Sequence, residues 1–268
     1  LDLDRQRLSR MDIYLKANRQ AVEYAISKGI HVCIASGRAF DTLPSEVVTI
    51  PGIEYAITSN GAAVYEIKDK KCLNSYVLKE SSVAGIINNT VGYPVTYEAF
   101  IRGKAYASKE YMADPVKFGA TSKAIEYVRS TRTLQEDIVS FIYEHKHELD
   151  SIDIVLDDDE LKNRIIRELY EKDPDIYITS SVKQLIEISY KDAGKKSGVR
   201  FLADRLGIDR KNIAAFGDAD NDCDMIEFAG AGVAMGNACD ALKEAADYIT
   251  LSNDDDGLAY AIYNILNI

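Results

Sequence analysis

The sequence of 268 residues lacks any uninterrupted apolar run long enough to span a bilayer, and no signal peptide is expected. No membrane partner is therefore expected. Positive charge is also scarce, because 43 acidic residues against 32 lysines and arginines give a net charge of -11. Proteins that bind nucleic acids normally present a basic face, so no nucleic-acid partner is expected. Repeats, low-complexity tracts and linkers rich in proline or serine are absent from the sequence as well.

Cysteine and histidine are few, and neither type forms a recognisable ligand set. The four cysteines lack CxxC spacing, so structural thiols in a reducing, cytoplasmic compartment are expected. These cysteines are Cys33, Cys72, Cys223 and Cys239. The three histidines, at positions 31, 145 and 147, form no credible metal site or catalytic triad. These two residue types therefore predict neither a metal site nor a nucleophile.

The first 79 residues alternate between helix-like and strand-like stretches. Apolar residues recur at helical spacing over residues 15–28, and Gly29 suits the position just after a helix. The β-rich runs 30–35 and 55–58 follow, each closed by a polar turn. This alternation favours an α/β fold built on a parallel, Rossmann-like sheet with crossover helices.

The pattern changes after Lys79 and resumes about a hundred residues later. Residues 80–180 are rich in tyrosine and charge, with a hairpin-like stretch at 94–107 and a helix at 161–172. The βα alternation is predicted to resume with a strand at 184–188 and to continue to a last helix at 258–266. We therefore expect a discontinuous core domain, residues 1–79 and 181–268, with an inserted α+β domain at 80–180.

The most informative stretch is Gly-Asp-Ala-Asp-Asn-Asp at residues 217–222. The apolar run 213–216 before it predicts a buried strand, and a helix-like stretch, 222–229, follows. Acidic groups at the carboxyl end of a strand lie where open α/β sheets bind ligands. Crowded carboxylates repel one another unless a hard cation neutralises them, and oxygen ligands suit magnesium. A solvated acidic turn is the alternative interpretation of this stretch alone.

Three further motifs come at or near the carboxyl ends of predicted strands. Asp2-Leu3-Asp4 opens the chain, Ser36-Gly37-Arg38 follows the strand at 30–35, and Lys195 lies just before a helix. With residues 217–222 they supply two carboxylates, a hydroxyl, a cation and a candidate metal ligand. This inventory suits phosphoryl transfer, in which positioning and charge neutralisation provide most of the catalysis. Taken singly, Lys195 would be a solvated side chain and Ser36 a helix cap.

The order D-x-D, S-G-R, K and G-D-x-x-N-D resembles the four motifs of the haloacid dehalogenase-like superfamily. The chain resembles in particular its Cof-type sugar-phosphatase-like subfamily, whose cap domain lies between the second and third motifs. The resemblance extends over essentially the whole chain. It includes Ser59-Asn60-Gly61-Ala62, the stretch 104–111 and the segment 232–238.

The resemblance implies a role for each motif. Asp2 is expected to attack phosphorus and form an aspartyl-phosphate, and Asp4 to act as general acid and then general base. Alternation along a strand places side chains at i and i+2 on the same side, as this pairing requires. Magnesium is expected to bind Asp2, the backbone carbonyl of Asp4, and Asp218.

The remaining motif residues are expected to bind the phosphoryl group. The predicted donors are the Ser36 hydroxyl, the Gly37 N–H, Lys195 and Asn221, with Asp222 orienting its neighbours. Lys196, next in sequence to Lys195, is expected to have no role. The implied activity is magnesium-dependent hydrolysis of small phosphorylated metabolites, of which sugar phosphates are the expected class. A phosphomutase and a non-catalytic phosphometabolite-binding protein remain alternatives, and the sequence leaves the oligomeric state open.

One segment departs from the family pattern. The family has Gly-Thr after D-x-D, whereas this chain has Arg5-Gln6-Arg7. Arginine does not readily adopt the positive φ that glycine allows, and it would bring a bulky cation to the site. The chain is either an incomplete version of an intact enzyme or a diverged member with an altered first motif. The first interpretation is favoured because the other motifs are whole.

Overall fold

The computed structural model describes residues 11–268, in which thirteen β-strands and eleven α-helices are assigned. The strands are β1 (Val32–Ala35), β2 (Ile53–Thr58), β3 (Ala63–Glu66), β4 (Lys71–Ser75), β5 (Thr96–Ile101), β6 (Lys104–Ser108), β7 (Arg132–Gln135), β8 (Ser151–Val155), β9 (Ile176–Thr179), β10 (Leu185–Tyr190), β11 (Ala214–Gly217), β12 (Ala231–Ala234) and β13 (Tyr248–Ile249). The helices are α1 (Met11–Ser27), α2 (Ser45–Val48), α3 (Glu80–Thr90), α4 (Lys109–Ala113), α5 (Ile125–Thr131), α6 (Ile138–Glu144), α7 (Asp159–Lys172), α8 (Lys195–Leu206), α9 (Cys223–Phe228), α10 (Asp240–Ala245) and α11 (Gly257–Tyr260). None of the helices in this part of the chain has the length and apolar character needed to cross a membrane.

The strands and helices group into two compact units. Unit 1 consists of residues 11–37, 43–74 and 194–268 of the described chain, and unit 2 of residues 38–42 and 75–193. Each unit has its own apolar core. The chain therefore contains a discontinuous unit interrupted by an inserted one.

Unit 1 contains a four-stranded sheet, β1-β2-β3-β4, and a three-stranded sheet, β11-β12-β13. β1 and β2 are parallel, with Ala35 opposite Ile57, and the three strands of the second sheet are also parallel. Helix α8 packs closely on β2, since a Cβ atom built on Gly198 would lie 2.5 Å from Ile57 Cγ2. The predicted parallel pairing with crossover helices is confirmed for this unit.

Local sequence explains where several elements of unit 1 end. Helix α1 ends before Gly29, whose φ is 82°, as the sequence predicts. Helix α8 ends at Leu206, and the next residue, Gly207, is left-handed and donates its N–H to the Ala203 carbonyl. The last helix begins at Gly257 and continues as a π-helical turn, Ala261–Ile265.

Unit 2 is built on one six-stranded sheet of order β7-β6-β5-β8-β10-β9. Its β5–β6 hairpin turns at Arg102 and Gly103, which both have positive φ and lie within the stretch 94–107 predicted as a hairpin. Isoleucines of β8, β9 and β10 belong to one core cluster with apolar residues of α3, α6 and α7. The sheet positions Glu98, Asp153 and Glu187 are opposite one another on adjacent strands, and all three are buried.

The sequence prediction assigns the strand near residue 185 to the wrong domain. The sequence places it in the core domain, but β10 pairs antiparallel with β8 and β9 of unit 2. An apolar alternation such as Leu-Ile-Glu-Ile-Ser fits a strand of either sheet, because the pattern does not record the pairing partner. Unit 1 resumes at Gly194 rather than at residue 181.

Candidate active site

Three polar turns of unit 1 follow strands or precede a helix. Ser36 follows β1, is fully buried, and donates its N–H to the Ile57 carbonyl at 2.9 Å. Asp218 follows β11, and Lys195 is the first residue of α8. The sequence prediction that these motifs lie at strand ends and a helix start is confirmed.

The Lys195 side chain lies in the interior of unit 1. Lys195 and Asp222 are both 0% exposed, and Lys195 Nζ is 2.8 Å from Asp222 Oδ1. Burying a lysine costs free energy unless its charge is paired and hydrogen-bonded. Lys196 is only partly buried, and its N–H donates to Asp224 Oδ2 at 3.2 Å. The structure thus distinguishes the two adjacent lysines sharply.

Asp222 connects the start of α8 to the turn after β11. Its Oδ2 atom accepts the N–H groups of Asp218 at 3.0 Å and of Ala219 at 3.1 Å. A Cβ atom at Gly217 would lie 2.4 Å from Asp222 Cβ, so only glycine permits this close approach. One carboxylate therefore holds both the Lys195 ammonium and the backbone that carries Asp218.

Asp218 is 5% exposed, and its carboxylate lies beside the side-chain amide of Asn237, a residue with no predicted role. Asn237 Nδ2 donates to Asp218 Oδ2 at 2.7 Å, and Asn237 Oδ1 accepts the Asn253 N–H at 2.8 Å. Asn237 lies in the segment 232–238 noted for its family resemblance. The resemblance could have marked Asn237 as a candidate site residue, but its contact with Asp218 is known only from the fold.

Asn221 also contacts a residue without a predicted role. Its Nδ2 atom donates to Asn60 Oδ1 at 2.9 Å, and Asn221 is 1% exposed. The Asn60 N–H donates to the Ser36 carbonyl at 3.1 Å, and the Asn60 carbonyl accepts the Gly194 N–H at 3.0 Å. The turns that carry Ser36, Lys195 and Asn221 are therefore joined through one residue.

A neighbouring carboxylate has an altered acidity. Burial raises the pKa of Asp224 to about 6, against the lowering effects of the Lys196 and Met225 backbone N–H groups and of the Lys195 charge. By accepting the Lys196 N–H, Asp224 joins the first turn of α9 to the first turn of α8.

Arg38, which was left outside the predicted set, has its guanidinium 4.4 Å from the centre of the Tyr127 ring, within unit 2.

Two predicted site residues, Asp2 and Asp4, lie outside the described residues, as does the divergent segment Arg5-Gln6-Arg7. Within residues 11–268, no group of three or more histidines, cysteines and carboxylates could hold a metal ion. Of the three predicted magnesium ligands, only Asp218 is therefore described. A nearly buried carboxylate at the end of a strand is a hard oxygen donor, and its chemistry fits that ion.

Comparison with known proteins places this geometry in context. A family model described as haloacid dehalogenase-like hydrolase matches residues 2–262. A 5-amino-6-(5-phospho-D-ribitylamino)uracil phosphatase of Bacillus subtilis (strain 168) is 28% identical over 266 residues, covering 98% of this chain and 92% of the relative.

Two solved structures share the fold. The structure of a haloacid dehalogenase-like hydrolase from B. subtilis has a TM-score of 0.79 at 25% identity and covers 93% of each chain. A sugar phosphatase of HAD subclass IIB has a TM-score of 0.78 at 19% identity, covering 100% of this chain and 98% of that one. The predicted fold class, a Rossmann-like core with an inserted α+β domain, is confirmed.

Proposed function

Since the chain belongs to the haloacid dehalogenase-like hydrolase family and is a phosphatase, we propose that it hydrolyses small phosphorylated metabolites with magnesium through an aspartyl-phosphate at Asp2. We propose further that unit 1 is the catalytic core and unit 2 the inserted cap. The observation that carries the proposal is the buried Lys195–Asp222 pair, which is hydrogen-bonded to the turn bearing Asp218.

The buried pair suits phosphate binding because its cation is fixed before substrate arrives. Asp222 holds the Lys195 ammonium at 2.8 Å and is itself held by two backbone N–H groups. An ammonium carries three N–H donors, so a bond to Asp222 is compatible with a bond to a phosphoryl oxygen. A preorganised charge needs little reorganisation as negative charge develops on the transferring group.

The other phosphate ligands in this proposal are the Ser36 hydroxyl, the Gly37 N–H and the Asn221 amide. Hydrogen bonds join the turns of Ser36 and Asn221 to Asn60, which restricts where these donors can lie. Several fixed donors around one phosphoryl group favour an in-line displacement, in which catalysis comes from position and charge.

Two carboxylates would carry the bond-making steps. Asp2 would attack phosphorus, and Asp4 would give a proton to the departing oxygen of the substrate. Asp4, now ionised, would then take a proton from the water that attacks the aspartyl-phosphate. This second step restores both carboxyl groups and releases inorganic phosphate.

Magnesium would be held by Asp2, the Asp4 carbonyl and Asp218. When bound, the ion supplies positive charge to the transferring phosphoryl oxygens. Asn237 would act on this site through Asp218, because its 2.7 Å hydrogen bond fixes one oxygen of that carboxylate.

The names of two relatives support a proposal for the substrate class. The B. subtilis relative is named for a phosphorylated ribityl compound, and one solved neighbour for sugar phosphates. We propose a phosphate monoester of a small polyhydroxylated metabolite as the substrate of this chain. A panel of sugar phosphates, polyol phosphates and the phosphoribitylamino uracil would identify it.

The direct test is hydrolysis of an aryl phosphate by the full chain, with and without magnesium, beside Asp2→Asn. We expect turnover that needs magnesium and that the substitution abolishes, because asparagine cannot form the aspartyl-phosphate. Turnover unaffected by Asp2→Asn would contradict the proposed nucleophile. Equal turnover without magnesium and with a chelator would contradict the proposed metal.

A further inference from the structure

The turn after β2 has an uncommon backbone. Ser59, Asn60 and Gly61 have consecutive φ values of 48°, 52° and 89°, all in the left-handed region. Asparagine and glycine tolerate that region better than most residues. A Cβ atom at Gly61 would lie 1.9 Å from the Gly194 carbonyl oxygen, so the turn is pressed directly against the residue before Lys195.

Within the described part of the chain, Asn60, in the middle of this turn, hydrogen-bonds to three different loops. Its N–H donates to the Ser36 carbonyl at 3.1 Å, and its carbonyl accepts the Gly194 N–H at 3.0 Å. Its side-chain Oδ1 accepts from Asn221 Nδ2 at 2.9 Å, across 161 residues of sequence. Both asparagines are nearly buried, so these bonds are shielded from water.

We propose that Asn60 is a positioning residue of the active site. Its backbone fixes the turn of Ser36 and the start of α8, and its side chain orients the Asn221 amide. The proposal rests on the proposed function, since it assigns Asn60 to the same phosphate-binding group. In this account Asn60 acts through Ser36, Lys195 and Asn221.

Both parts of asparagine serve this role. Glycine would adopt the left-handed backbone and keep both main-chain hydrogen bonds, but it would leave Asn221 without this acceptor. Alanine would lose the acceptor and also strain the backbone at φ 52°. Aspartate would keep the acceptor and tolerate the backbone, although it adds a charge.

The test is a double-mutant cycle on kcat/KM with magnesium and an aryl phosphate, using the full chain. We expect Asn60→Gly to lower kcat/KM about tenfold, as the loss of a buried hydrogen bond predicts. Asn221→Ala should lower it about a hundredfold in the unsubstituted protein. In the Asn60→Gly background the same substitution should add only about tenfold, so that the double variant is about as impaired as Asn221→Ala alone, because the two residues act as one unit.

Two further variants show whether the side chain is responsible. In the Asn60→Asp background, where the acceptor remains, Asn221→Ala should again cost the full factor. Lys70→Gly removes a side chain from another left-handed residue, φ 50°, in the exposed β3–β4 turn, and should leave kcat/KM unchanged. The inhibition constant of inorganic phosphate should rise in Asn60→Gly and stay constant in Lys70→Gly.

The outcomes of the double-mutant cycle either support or overturn the positioning role of Asn60. Effects of Asn60→Gly and Asn221→Ala that multiply fully, or wild-type activity in Asn60→Gly, would overturn the positioning role. If Asn60→Gly does not fold, Asn60→Asp, which tolerates the backbone, is measured instead, and a changed effect of Asn221→Ala in that background would overturn the positioning role. Absence of magnesium-dependent turnover in the unsubstituted protein would instead overturn the proposed function, and this inference with it.

Discussion

At the scale of single residues, the site depends on contacts between side chains far apart in sequence. The Lys195–Asp222 ion pair spans 27 residues, and the Asn60–Asn221 pair spans 161. Residue type and spacing predicted that Ser36, Lys195 and residues 217–222 belong to functional turns. They did not predict the contacts of Asn60 or Asn237, because an amide in a turn is common and its partner is set by tertiary packing.

Lys195→Met tests the buried cation. Methionine keeps most of the apolar stem, but it leaves the Asp222 carboxylate buried without the ammonium that lies 2.8 Å away. We expect kcat/KM to fall by about 10²–10³-fold. The free energy of unfolding should fall by about 3–5 kcal/mol, the usual effect of removing one partner of a buried pair.

Lys196→Met is the matched control, because it changes the adjacent, partly exposed lysine in the same way. Its activity should stay within about twofold of the unsubstituted protein. Steady-state kinetics and urea unfolding of both variants measure the difference. Equal losses in the two variants, or a folded and fully active Lys195→Met protein, would refute the assignment of Lys195.

At the scale of secondary-structure elements, the inserted sheet buries charge that the strand pattern does not explain. Arg132 at the start of β7 reaches Glu98 on β5, with Nε 2.7 Å from Oε1 and Nη2 3.1 Å from Oε2. Glu98 is fully buried, and the Arg132 side chain is 8% exposed. The sequence predicted the hairpin at 94–107 that contains β5 but predicted no strand at β7, and the sheet order is known only from the pairing of the strands.

Arg132→Met should destabilise unit 2 because it leaves the Glu98 carboxylate buried without its bidentate partner. We expect the free energy of unfolding to fall by about 3–5 kcal/mol. Lys109→Met removes an exposed ion pair with Glu136 in the same unit and should change it by about 0–1 kcal/mol. Urea unfolding followed by circular dichroism measures both, and similar losses would argue against a stabilising role for the buried pair.

The β5–β6 hairpin gives a prediction about pH. Burial raises the pKa of Asp150 to about 7, against the lowering effects of the Gly103 and Arg102 backbone N–H groups. The folded state therefore holds a proton that the unfolded state releases near its ordinary pKa of about 4. The unfolded state binds fewer protons between about pH 4 and 7, so this group reduces stability as pH rises through that interval.

Asp150→Asn should remove this pH dependence while keeping an oxygen that accepts from the turn. Relative to the unsubstituted protein, the variant should gain stability between about pH 4 and 7, by at most about 1.4 kcal/mol per pH unit. Above that interval the difference should be constant. Denaturant unfolding at several pH values measures it, and a difference that does not change with pH would contradict the raised pKa.

At the scale of the whole molecule, the sequence predicted the fold class and the presence of an inserted α+β part. This prediction succeeded because helices and strands have different periodicities, and because the order of the motifs is read directly from the sequence. The residue at which the core domain resumes was predicted wrongly, because the pattern of β10 fits a strand of either sheet. The strands that pair with it, β8 and β9, lie elsewhere in the sequence. The roles of Asp2 and Asp4 stay predictions, because both lie outside the described residues.

The central claim is that the phosphoryl group passes through Asp2. The most direct measurement is acid quenching of the Asp4→Asn protein after mixing with aryl phosphate and magnesium, followed by peptide mass spectrometry. Asparagine at position 4 cannot deprotonate the attacking water, so the aspartyl-phosphate should accumulate. We predict one phosphoryl group on Asp2, absent when Asp2→Asn is added. Release of aryl alcohol by the Asp4→Asn protein with the phosphoryl group on another residue, or on none, would contradict the account.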